Sequence, residues 1–346
     1  MAPSKQQALF LEAKFGNFAV HTVDVPKPGA GEVLVKVHSA ALNPLDWKIQ
    51  KYGIFVEHFP AVLGSDIAGD VAEVGAGVTG VSVGDRVFLQ GRFTKTTGGF
   101  QQYVIAKLFG KVIIPHNITY DDASTFPVGL FTAYVGLFQQ GPGGFGLANV
   151  LVDGRNKSSG QAIVVLGGSG SVGQFVLQLA KLAGFSTIIT TASLKHTDHL
   201  KSLGATYVID RYASSEAVSA EVSKLTGSDG VNYAFDAISI PETQQLGYDL
   251  LSADGEIALL LSDTIKNKVE GKKIHSVQGV ASLPKNHELA VLFYEKIGSL
   301  VQEGEIKPET TEALPNGLAG IPDGLKRLEN NKVSGAKLVA RPQESA

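Results

Sequence analysis

The stretch that decides the fold is Ile163-Val164-Val165-Leu166-Gly167-Gly168-Ser169-Gly170-Ser171-Val172-Gly173. Its apolar half predicts a buried strand, and residues 172–183 predict an amphipathic helix. Gly168, Gly170 and Gly173 fit the pattern G-x-G-x-x-G. Such glycines permit a tight turn, a close backbone approach to a pyrophosphate, and close packing of the helix on the strand. The helix N-terminus then directs its amides at the phosphates. The stretch therefore predicts a dinucleotide site, the alternative being a glycine-rich turn in an unrelated α/β fold.

Strands and helices alternate regularly on both sides of this turn. Strands are predicted at 162–166, 186–191, 207–209, 231–235 and 256–261, and helices at 172–183, 195–203, 214–225 and 242–251. Such alternation predicts a doubly wound parallel sheet with helices on both faces. A later helix is indicated by apolar side chains on one face between Leu289 and Val301.

The first third of the chain has a different pattern. Short strands are predicted at 33–38, 67–74, 86–89, 100–106 and 112–115, and Gly and Pro separate them. This spacing predicts a compact, strongly bent β-barrel. A helix is then predicted at 130–138, and residues 140–161, rich in Gly, Asn and Ser, are predicted to be a loop insertion.

The end of the second strand indicates which dinucleotide binds. A site for NAD usually places a carboxylate there, but the chain has Thr191, Ala192, Ser193 and Lys195 in this stretch. Ser193 can donate a hydrogen bond to a 2′-phosphate, and Lys195 can pair with it. Arg211, after the third strand, can add a second positive charge. We therefore predict NADP(H), the alternative being that these cations are simply solvated helix ends.

Composition excludes several classes of protein. The 346 residues suffice for about two domains. The chain has 30 Lys and Arg against 33 Asp and Glu, a net charge of −3, which argues against charge-dominated nucleic-acid binding. Cysteine is absent, which excludes disulfides and thiolate zinc sites. His196 and His199 have no evident third ligand, so no metal is expected. With no signal peptide and no long apolar run, a cytoplasmic protein without membrane contact is predicted.

Several motifs together resemble the medium-chain dehydrogenase/reductase superfamily. They are residues 28–37, Asn43-Pro44-Leu45-Asp46, Gly64-Ser65-Asp66-Ile67-Ala68-Gly69, Val83-Gly84-Asp85-Arg86-Val87, the glycine turn, Lys201-Ser202-Leu203-Gly204-Ala205 and residues 333–339. Zinc-containing members carry Cys and His-Glu where this chain has Asn43 and Ser65-Asp66. The chain is therefore most similar to the zinc-independent quinone oxidoreductases and enoyl reductases. Within that branch it looks closest to fungal enoyl reductases, including trans-acting partners of polyketide synthases.

The resemblance implies a fold and an activity. The fold would be a GroES-like β-barrel catalytic domain, residues 1–124 plus 286–346, with a Rossmann-type cofactor domain, residues 125–285. The activity would be hydride transfer from NADPH to the C=C of an α,β-unsaturated carbonyl. The substrate would be a small enone or enoyl compound, including an acyl chain on a carrier protein, and the enzyme a monomer or homodimer. The alternatives are a quinone or carbonyl reductase on the same scaffold and a non-catalytic NADPH-binding protein.

The resemblance also implies site residues. Lys48, Tyr52 and Thr132 are the expected catalytic side chains, and Lys48 would either anchor the cofactor ribose or polarise the substrate carbonyl. The structural alternatives are a surface ammonium, a packed aromatic ring and a hydroxyl bonded to its own helix. Ala281, Ser282 and Leu283 are expected to line the substrate cleft. The expected cofactor contacts are Asp46, Lys48, Gly168, Ser169, Gly170, Ser171, Val172, Gly173, Thr191, Ala192, Ser193, Lys195, Arg211, Leu260 and Lys337.

Overall fold

The computed structural model describes residues 2–109, 113–227 and 230–345. The chain divides into two compact units. The first unit comprises residues 1–128, 290–304 and 308–346, and the second comprises residues 129–289 and 305–307.

The first unit is built mainly from antiparallel strands. Its strands are β1 (Lys5–Leu11), β2 (Phe18–Asp24), β3 (Val33–Ala41), β4 (Ala61–Val62), β5 (Asp66–Val74), β6 (Arg86–Gln90) and β7 (Tyr103–Ala106), with β14 (Thr311–Ala313) and β15 (Lys337–Ala340) from the end of the chain. Its helices are α1 (Pro44–Tyr52), α2 (Tyr120–Ala123) and α9 (Ile321–Glu329), while α3 (Phe126–Phe138) and α8 (His287–Gln302) each cross a boundary between the units.

Two sheets surround the core of the first unit. One has the order β2-β1-β4, and the other has the order β14-β15-β3-β5-β6 with β7 also paired to β3. Leu9, Val35, Ile67 and Phe100 are fully buried between them. The terminal strand β15 pairs with β3, so residues far apart in the sequence become neighbours. This arrangement confirms the predicted GroES-like barrel architecture.

The second unit contains one parallel sheet. Its strands are β8 (Ala162–Leu166), β9 (Thr187–Ala192), β10 (Tyr207–Asp210), β11 (Val231–Asp236), β12 (Leu251–Leu259) and β13 (Lys273–Ser276), and its remaining helices are α4 (Ser171–Ala183), α5 (Thr197–Leu203), α6 (Ser215–Thr226) and α7 (Pro241–Asp249). The strand order is β10-β9-β8-β11-β12-β13, and every pair is parallel. This is the doubly wound Rossmann order, as predicted from the strand and helix alternation.

Several element predictions need correction. The predicted helix 242–251 ends at Asp249, because the carbonyl of Leu250 accepts the Val231 amide at 2.9 Å and the chain enters the sheet at Leu251. The predicted helix 195–203 is a 3-10 turn, Leu194–His196, followed by α5. The predicted strand 100–106 starts only at Tyr103. Of the predicted strand 112–115, residues 113–115 form no strand and Val112 lies outside the described residues.

The insertion 140–161 has no strand or α-helix, as predicted, and contains one 3-10 turn at Gly141–Gly143. Its first part packs on the sheet of the second unit, whereas residues 152–157 are exposed. Phe145 contacts the rings of Tyr233 and His275 with centroid separations of 5.1 and 5.6 Å. His275 also hydrogen-bonds the Gly141 carbonyl at 3.1 Å. The insertion is therefore fastened to the sheet of the second unit.

Candidate cofactor and substrate sites

The glycine turn joins β8 to α4 with a left-handed residue at its start. Gly167 has a φ of 84°, a conformation that glycine adopts without strain. Its amide donates to the Thr191 carbonyl and hydroxyl, both at 3.2 Å, and the Gly168 amide donates to the same carbonyl at 3.1 Å. The turn is thereby held against the end of β9, and Thr191, a predicted cofactor contact, serves as its support.

The three glycines of the motif have different surroundings. A Cβ atom at Gly168 would lie 2.1 Å from Thr190 Oγ1, and one at Gly173 would lie 2.3 Å from the Gly167 carbonyl oxygen. Protein packing alone therefore requires glycine at both positions. A Cβ atom at Gly170 would meet only the Gly167 carbonyl oxygen, at 3.4 Å. The surface above Gly170 is open to a ligand.

Gly170 is also the N-cap of α4 and offers no side chain to the first-turn amides. Ser171 and Val172 follow it, half-buried, at the positive end of the helix dipole. Side chains also stabilise the turn, because Gln174 donates to the Ser169 carbonyl at 3.2 Å and His199 hydrogen-bonds Gln174 at 2.9 Å. This geometry suits an anion such as a pyrophosphate.

Cationic side chains converge beside the end of β9. Lys195 is exposed, and the exposed Arg211 is tied to β9 through its amide, which donates to the Ala192 carbonyl at 2.9 Å. Burial and the charges of Lys195, His199 and Arg211 lower the pKa of His196. Ser193 lies half-buried between Ala192 and this group. The predicted residues Ala192, Ser193, Lys195 and Arg211 are therefore brought together in one positively charged region.

Arg211 and the tyrosine that follows it form a unit of their own. The guanidinium lies 4.6 Å from the centre of the Tyr212 ring and also donates a hydrogen bond to the Tyr212 hydroxyl. The Tyr212 ring is 76% exposed. Sequence reasoning chose Arg211 alone, and the structure adds the ring as a flat, exposed surface beside the cations.

Leu260 lies at the same edge of the sheet, directly after β12. Its amide donates to the Ser239 hydroxyl at 2.7 Å, and the Ala237 amide donates to the Leu166 carbonyl at 3.0 Å. The glycine turn, the end of β9 and Leu260 therefore all follow the carboxyl ends of parallel strands. Ligands of doubly wound folds bind at this edge.

The first unit contains a separate, buried polar network. Lys337 Nζ donates to Asn43 Oδ1 at 2.7 Å and lies 3.0 Å from Asp66 Oδ2. Asn43 Nδ2 donates to the same Asp66 oxygen at 2.7 Å, and the amide of Val128 donates to Asp66 Oδ1 at 2.6 Å. Lys337 is 4% exposed and Asp66 is fully buried. We call Asn43, Asp66 and Lys337 the buried triad.

The triad explains the charge state of its lysine. Burial acts to lower the pKa of Lys337, but the carboxylates of Asp66 and Glu309 outweigh it and hold the pKa above its usual value. A charged ammonium is thus held between Asn43 and Asp66. Sequence reasoning selected Lys337 as a cofactor contact and missed this pairing, because Asn43 and Lys337 are 294 residues apart.

Asp46 is a second buried carboxyl beside the triad. It accepts the amide of Asn43 at 2.8 Å and that of Gly64 at 3.2 Å. Burial raises its pKa to about 7, against the two hydrogen bonds, which lower it. Asp46 therefore changes protonation near neutral pH.

The predicted catalytic residues fall in both units. Lys48 and Tyr52 are four residues apart on α1 and so share one face of that helix. Lys48 is half-buried, with Nζ 5.7 Å from the centre of the Trp47 ring, and Tyr52 is 54% exposed. Thr132 lies in the second unit on α3, where a Cβ atom at Gly279 would be 2.0 Å from its hydroxyl oxygen. The nearby Ala281 is buried, Ser282 exposed and Leu283 half-buried.

The two histidines considered as metal ligands do not share a helix. His196 ends the 3-10 turn and His199 lies in α5, bonded to Gln174. Among residues 2–109, 113–227 and 230–345, no three His, Cys, Asp or Glu side chains form a group that could hold a metal ion. In the same residues, no helix has both the length and the apolar character needed to span a membrane.

Comparison with known proteins places this geometry in a family. Residues 29–116 match the alcohol dehydrogenase GroES-like domain, and residues 171–304 match the zinc-binding dehydrogenase domain. The chain is 32% identical to the trans-enoyl reductase tndF of Aspergillus flavipes, over 97% of this chain and 98% of the relative. A zinc-type alcohol dehydrogenase-like protein of Schizosaccharomyces pombe is 31% identical over 97% and 99% of the two chains. The chain belongs to the medium-chain dehydrogenase/reductase superfamily.

Solved structures agree on the fold. The JamJ enoyl reductase superposes with a TM-score of 0.78 at 22% identity, covering 97% of this chain and 99% of that one. The human synaptic vesicle membrane protein VAT-1 homolog-like protein gives 0.78 at 23% identity, covering 98% of both chains. These structures therefore share the fold of this chain.

Proposed function

We propose that this protein is an NADPH-dependent enoyl reductase that reduces the C=C bond of an α,β-unsaturated carbonyl compound without a metal. The observation that carries the proposal is the glycine turn. Gly170 is open above an uncapped helix N-terminus, in a chain whose near-full-length relatives include trans-enoyl reductases. In this proposal the second unit binds the cofactor and the first unit is the catalytic domain.

The choice of NADPH rests on the cations beside β9. The charges of Lys195 and Arg211 both act to lower the pKa of His196, which lies beside them. No carboxylate stands at 190–195 to repel a 2′-phosphate. Ser193 and Lys195 would contact the phosphate, with Arg211 as the second charge and Ser169, Ser171 and Val172 at the pyrophosphate. Asp46, Leu260 and Lys337 remain proposed contacts for the rest of the cofactor.

The proposed reaction needs a hydrogen-bond donor for the carbonyl oxygen of the substrate and a source of the proton that is added to its α-carbon. NADPH, when bound, supplies hydride to the β-carbon, so negative charge develops on the carbonyl oxygen. Lys48 and Tyr52 share one face of α1 and can donate hydrogen bonds to such an oxygen, and Thr132 offers a hydroxyl. We assign these three residues to orientation of the substrate and cofactor and to proton delivery at the α-carbon.

Metal independence is supported by the buried triad. Asn43 and Asp66 already bind a cation that belongs to the chain, the Lys337 ammonium. We therefore expect full activity after exhaustive chelation and dialysis, measured as NADPH consumption. The matched control is chelated protein to which Zn²⁺ is restored. Activity that falls on chelation and returns with the metal would contradict this part of the proposal.

The substrate is proposed to be a small enone or enoyl thioester, including an acyl chain on a carrier protein. The test is NADPH oxidation with enones, enals, enoyl thioesters, quinones and ketones, with products identified by mass spectrometry. Saturated products with an intact C=O would support the proposal. Consumption only with quinones or ketones would replace it with the quinone or carbonyl reductase alternative. Tight NADPH binding without turnover would favour a non-catalytic role.

A further inference from the structure

One face of α3 packs closely on the second unit. Gly129, Thr132 and Gly136 lie on this face, because they are spaced three and four residues apart in the helix. A Cβ atom at Gly129 would lie 2.4 Å from Ser171 Oγ, in the first turn of α4, and one at Gly136 would lie 2.4 Å from the Phe235 ring. The face therefore runs from the helix end that follows the glycine turn to the sheet, and Thr132 lies between these two contacts.

Thr132 itself is covered by residues 278–283, which follow β13 and which we call the Gly279 loop. A Cβ atom at Gly279 would lie 2.0 Å from Thr132 Oγ1 and 2.6 Å from the Thr132 Cβ atom. The main chain of the loop thus packs on the Thr132 side chain, and its hydroxyl oxygen is the nearest atom. In the part of the chain that the structure describes, this hydroxyl makes no hydrogen bond to its own helix, so it is available to a ligand.

A fully buried asparagine fastens the Gly279 loop. Asn286 Nδ2 donates to the carbonyl of Gln278 at 2.7 Å and to that of Val280 at 2.9 Å. One amide group therefore holds the residues on both sides of Gly279. The Val280 amide also donates to the Gln278 carbonyl at 2.9 Å, which closes a three-residue turn with Gly279 at its centre.

The two hydrogen bonds of Asn286 set the position of the loop. The side chains of Gln278 and Val280 are exposed, so their packing contributes little to it. Among the described residues, the buried Asn286 Oδ1 has no hydrogen-bond partner, so this amide is held in place for its two donors. Since the Thr132 hydroxyl selects among a few staggered rotamers, main chain packed against one side of it restricts that selection. Asn286 therefore acts on Thr132 through Gly279.

We propose that Asn286 is a positioning residue for the reaction: it holds the Gly279 loop against Thr132 and so fixes the orientation of the Thr132 hydroxyl toward the bound substrate. This inference rests on the proposed function, in which Thr132 contacts the substrate. Asn286 itself contacts neither the substrate nor the cofactor. Its effect on the reaction therefore passes through the Thr132 hydroxyl and disappears when that hydroxyl is removed.

The experiment is a double-mutant cycle on the NADPH-dependent reduction of the crotonyl thioester of N-acetylcysteamine. Thr132→Val, which removes the hydroxyl and keeps the shape, should lower kcat at least about tenfold. Asn286→Ala should lower kcat about tenfold in the wild-type background, but less than about twofold in the Thr132→Val background, where no hydroxyl remains to be positioned. NADPH affinity, measured by fluorescence titration, should stay within about twofold in every variant, which also establishes that each is folded.

Gly279→Ala displaces the same loop without altering Asn286. The new Cβ atom does not fit beside Thr132 Oγ1, so the exposed loop must move outward. Its effect on kcat should depend on Thr132 in the same way, which keeps the test valid if Asn286→Ala does not fold.

The matched control is Asn149→Ala. Asn149 also donates to a side chain of α3, the Tyr134 hydroxyl, at 2.6 Å. Tyr134 is two residues from Thr132 and so lies on another face of the helix. The change in kcat should be less than about twofold and equal in both backgrounds.

The outcomes separate this inference from the proposed function. An unchanged kcat in folded Asn286→Ala, or an equal loss of kcat with and without the Thr132 hydroxyl, would overturn the role of Asn286. If the wild type reduces the quinone menadione but not the crotonyl thioester, the proposed function fails, and the same cycle with menadione tests Asn286 independently. Reduction of neither acceptor would contradict both proposals, because no reaction would remain for the Thr132 hydroxyl to serve.

Discussion

Positively charged side chains are exposed at the candidate site of the second unit but buried at that of the first. In the second unit Lys195 and Arg211 are exposed beside an open glycine turn, whereas in the first unit Lys337 is buried and paired with Asp66. Exposed cations beside an accessible surface are suited to the reversible binding of an anionic ligand. Neither partner of a buried ion pair is available to a ligand, because removing one partner leaves a desolvated charge. The pair instead holds its neighbours in place. We therefore expect ligand binding by the exposed cations of the second unit and a positioning role for the buried ion pair of the first.

The largest expected effect is in the buried triad. Lys337→Met should lower the free energy of unfolding by about 3–5 kcal/mol, because Asp66 would be left buried without its cation. Chemical denaturation at neutral pH measures this loss. The control is Lys337→Met/Asp66→Asn, which removes both charges and should recover much of the stability. If the double variant were as unstable as the single one, the triad would owe its stability to packing and not to charge.

The next effect is at the glycine turn. Gly170→Val should reduce NADPH affinity more than about 100-fold, because the side chain fills the space a pyrophosphate needs. Since a Cβ atom at 170 has room within the protein, Gly170→Ala should fold normally and weaken binding less. Gly173→Ala, whose Cβ atom would lie 2.3 Å from a carbonyl oxygen, should lose stability instead. Retained affinity in Gly170→Val would contradict this account of the turn.

A smaller effect is a pH dependence from Asp46. Burial raises its pKa to about 7 in the folded state, from the ordinary value of 3.8 that applies in the unfolded chain. The folded protein therefore holds the proton more tightly, and stability from this group falls as pH rises through 7. Relative to Asp46→Asn, the wild type should lose roughly 2.5 kcal/mol of unfolding free energy between pH 5 and 8. Parallel denaturation curves at both pH values check it, and a constant difference would refute it.

The smallest effect concerns cofactor choice. Lys195→Glu should weaken NADPH binding by about tenfold, since a carboxylate would face the 2′-phosphate, and should leave NADH binding nearly unchanged. Fluorescence titration with both cofactors gives the ratio, and Lys195→Gln separates loss of attraction from added repulsion. Equal weakening for NADPH and NADH would reject the 2′-phosphate assignment.

The sequence predicts the second unit well because the residues that define each of its elements are close together in the chain. The strand, the glycine turn and the helix are contiguous at 162–183, and each residue of the motif is explained by its neighbours. Leu251 is an exception. The helical pattern includes this residue, but in the structure it begins strand β12.

The first unit is harder to predict because its buried polar site combines residues that are far apart in the sequence. Asn43 follows β3, Asp66 begins β5, and Lys337 begins β15. The pairings of β5 and of β15 with β3 bring these three residues together. The sequence pattern predicts no strand at β1 or β15.

The most direct test uses NADPH with deuterium at both hydrogens of the hydride-donating carbon, together with a 2-enoyl thioester and purified protein. We expect a saturated thioester with one deuterium at the β-carbon and an intact carbonyl, established by mass spectrometry and NMR. Deuterium at the carbonyl carbon, or none in the product while quinones are reduced, would contradict it.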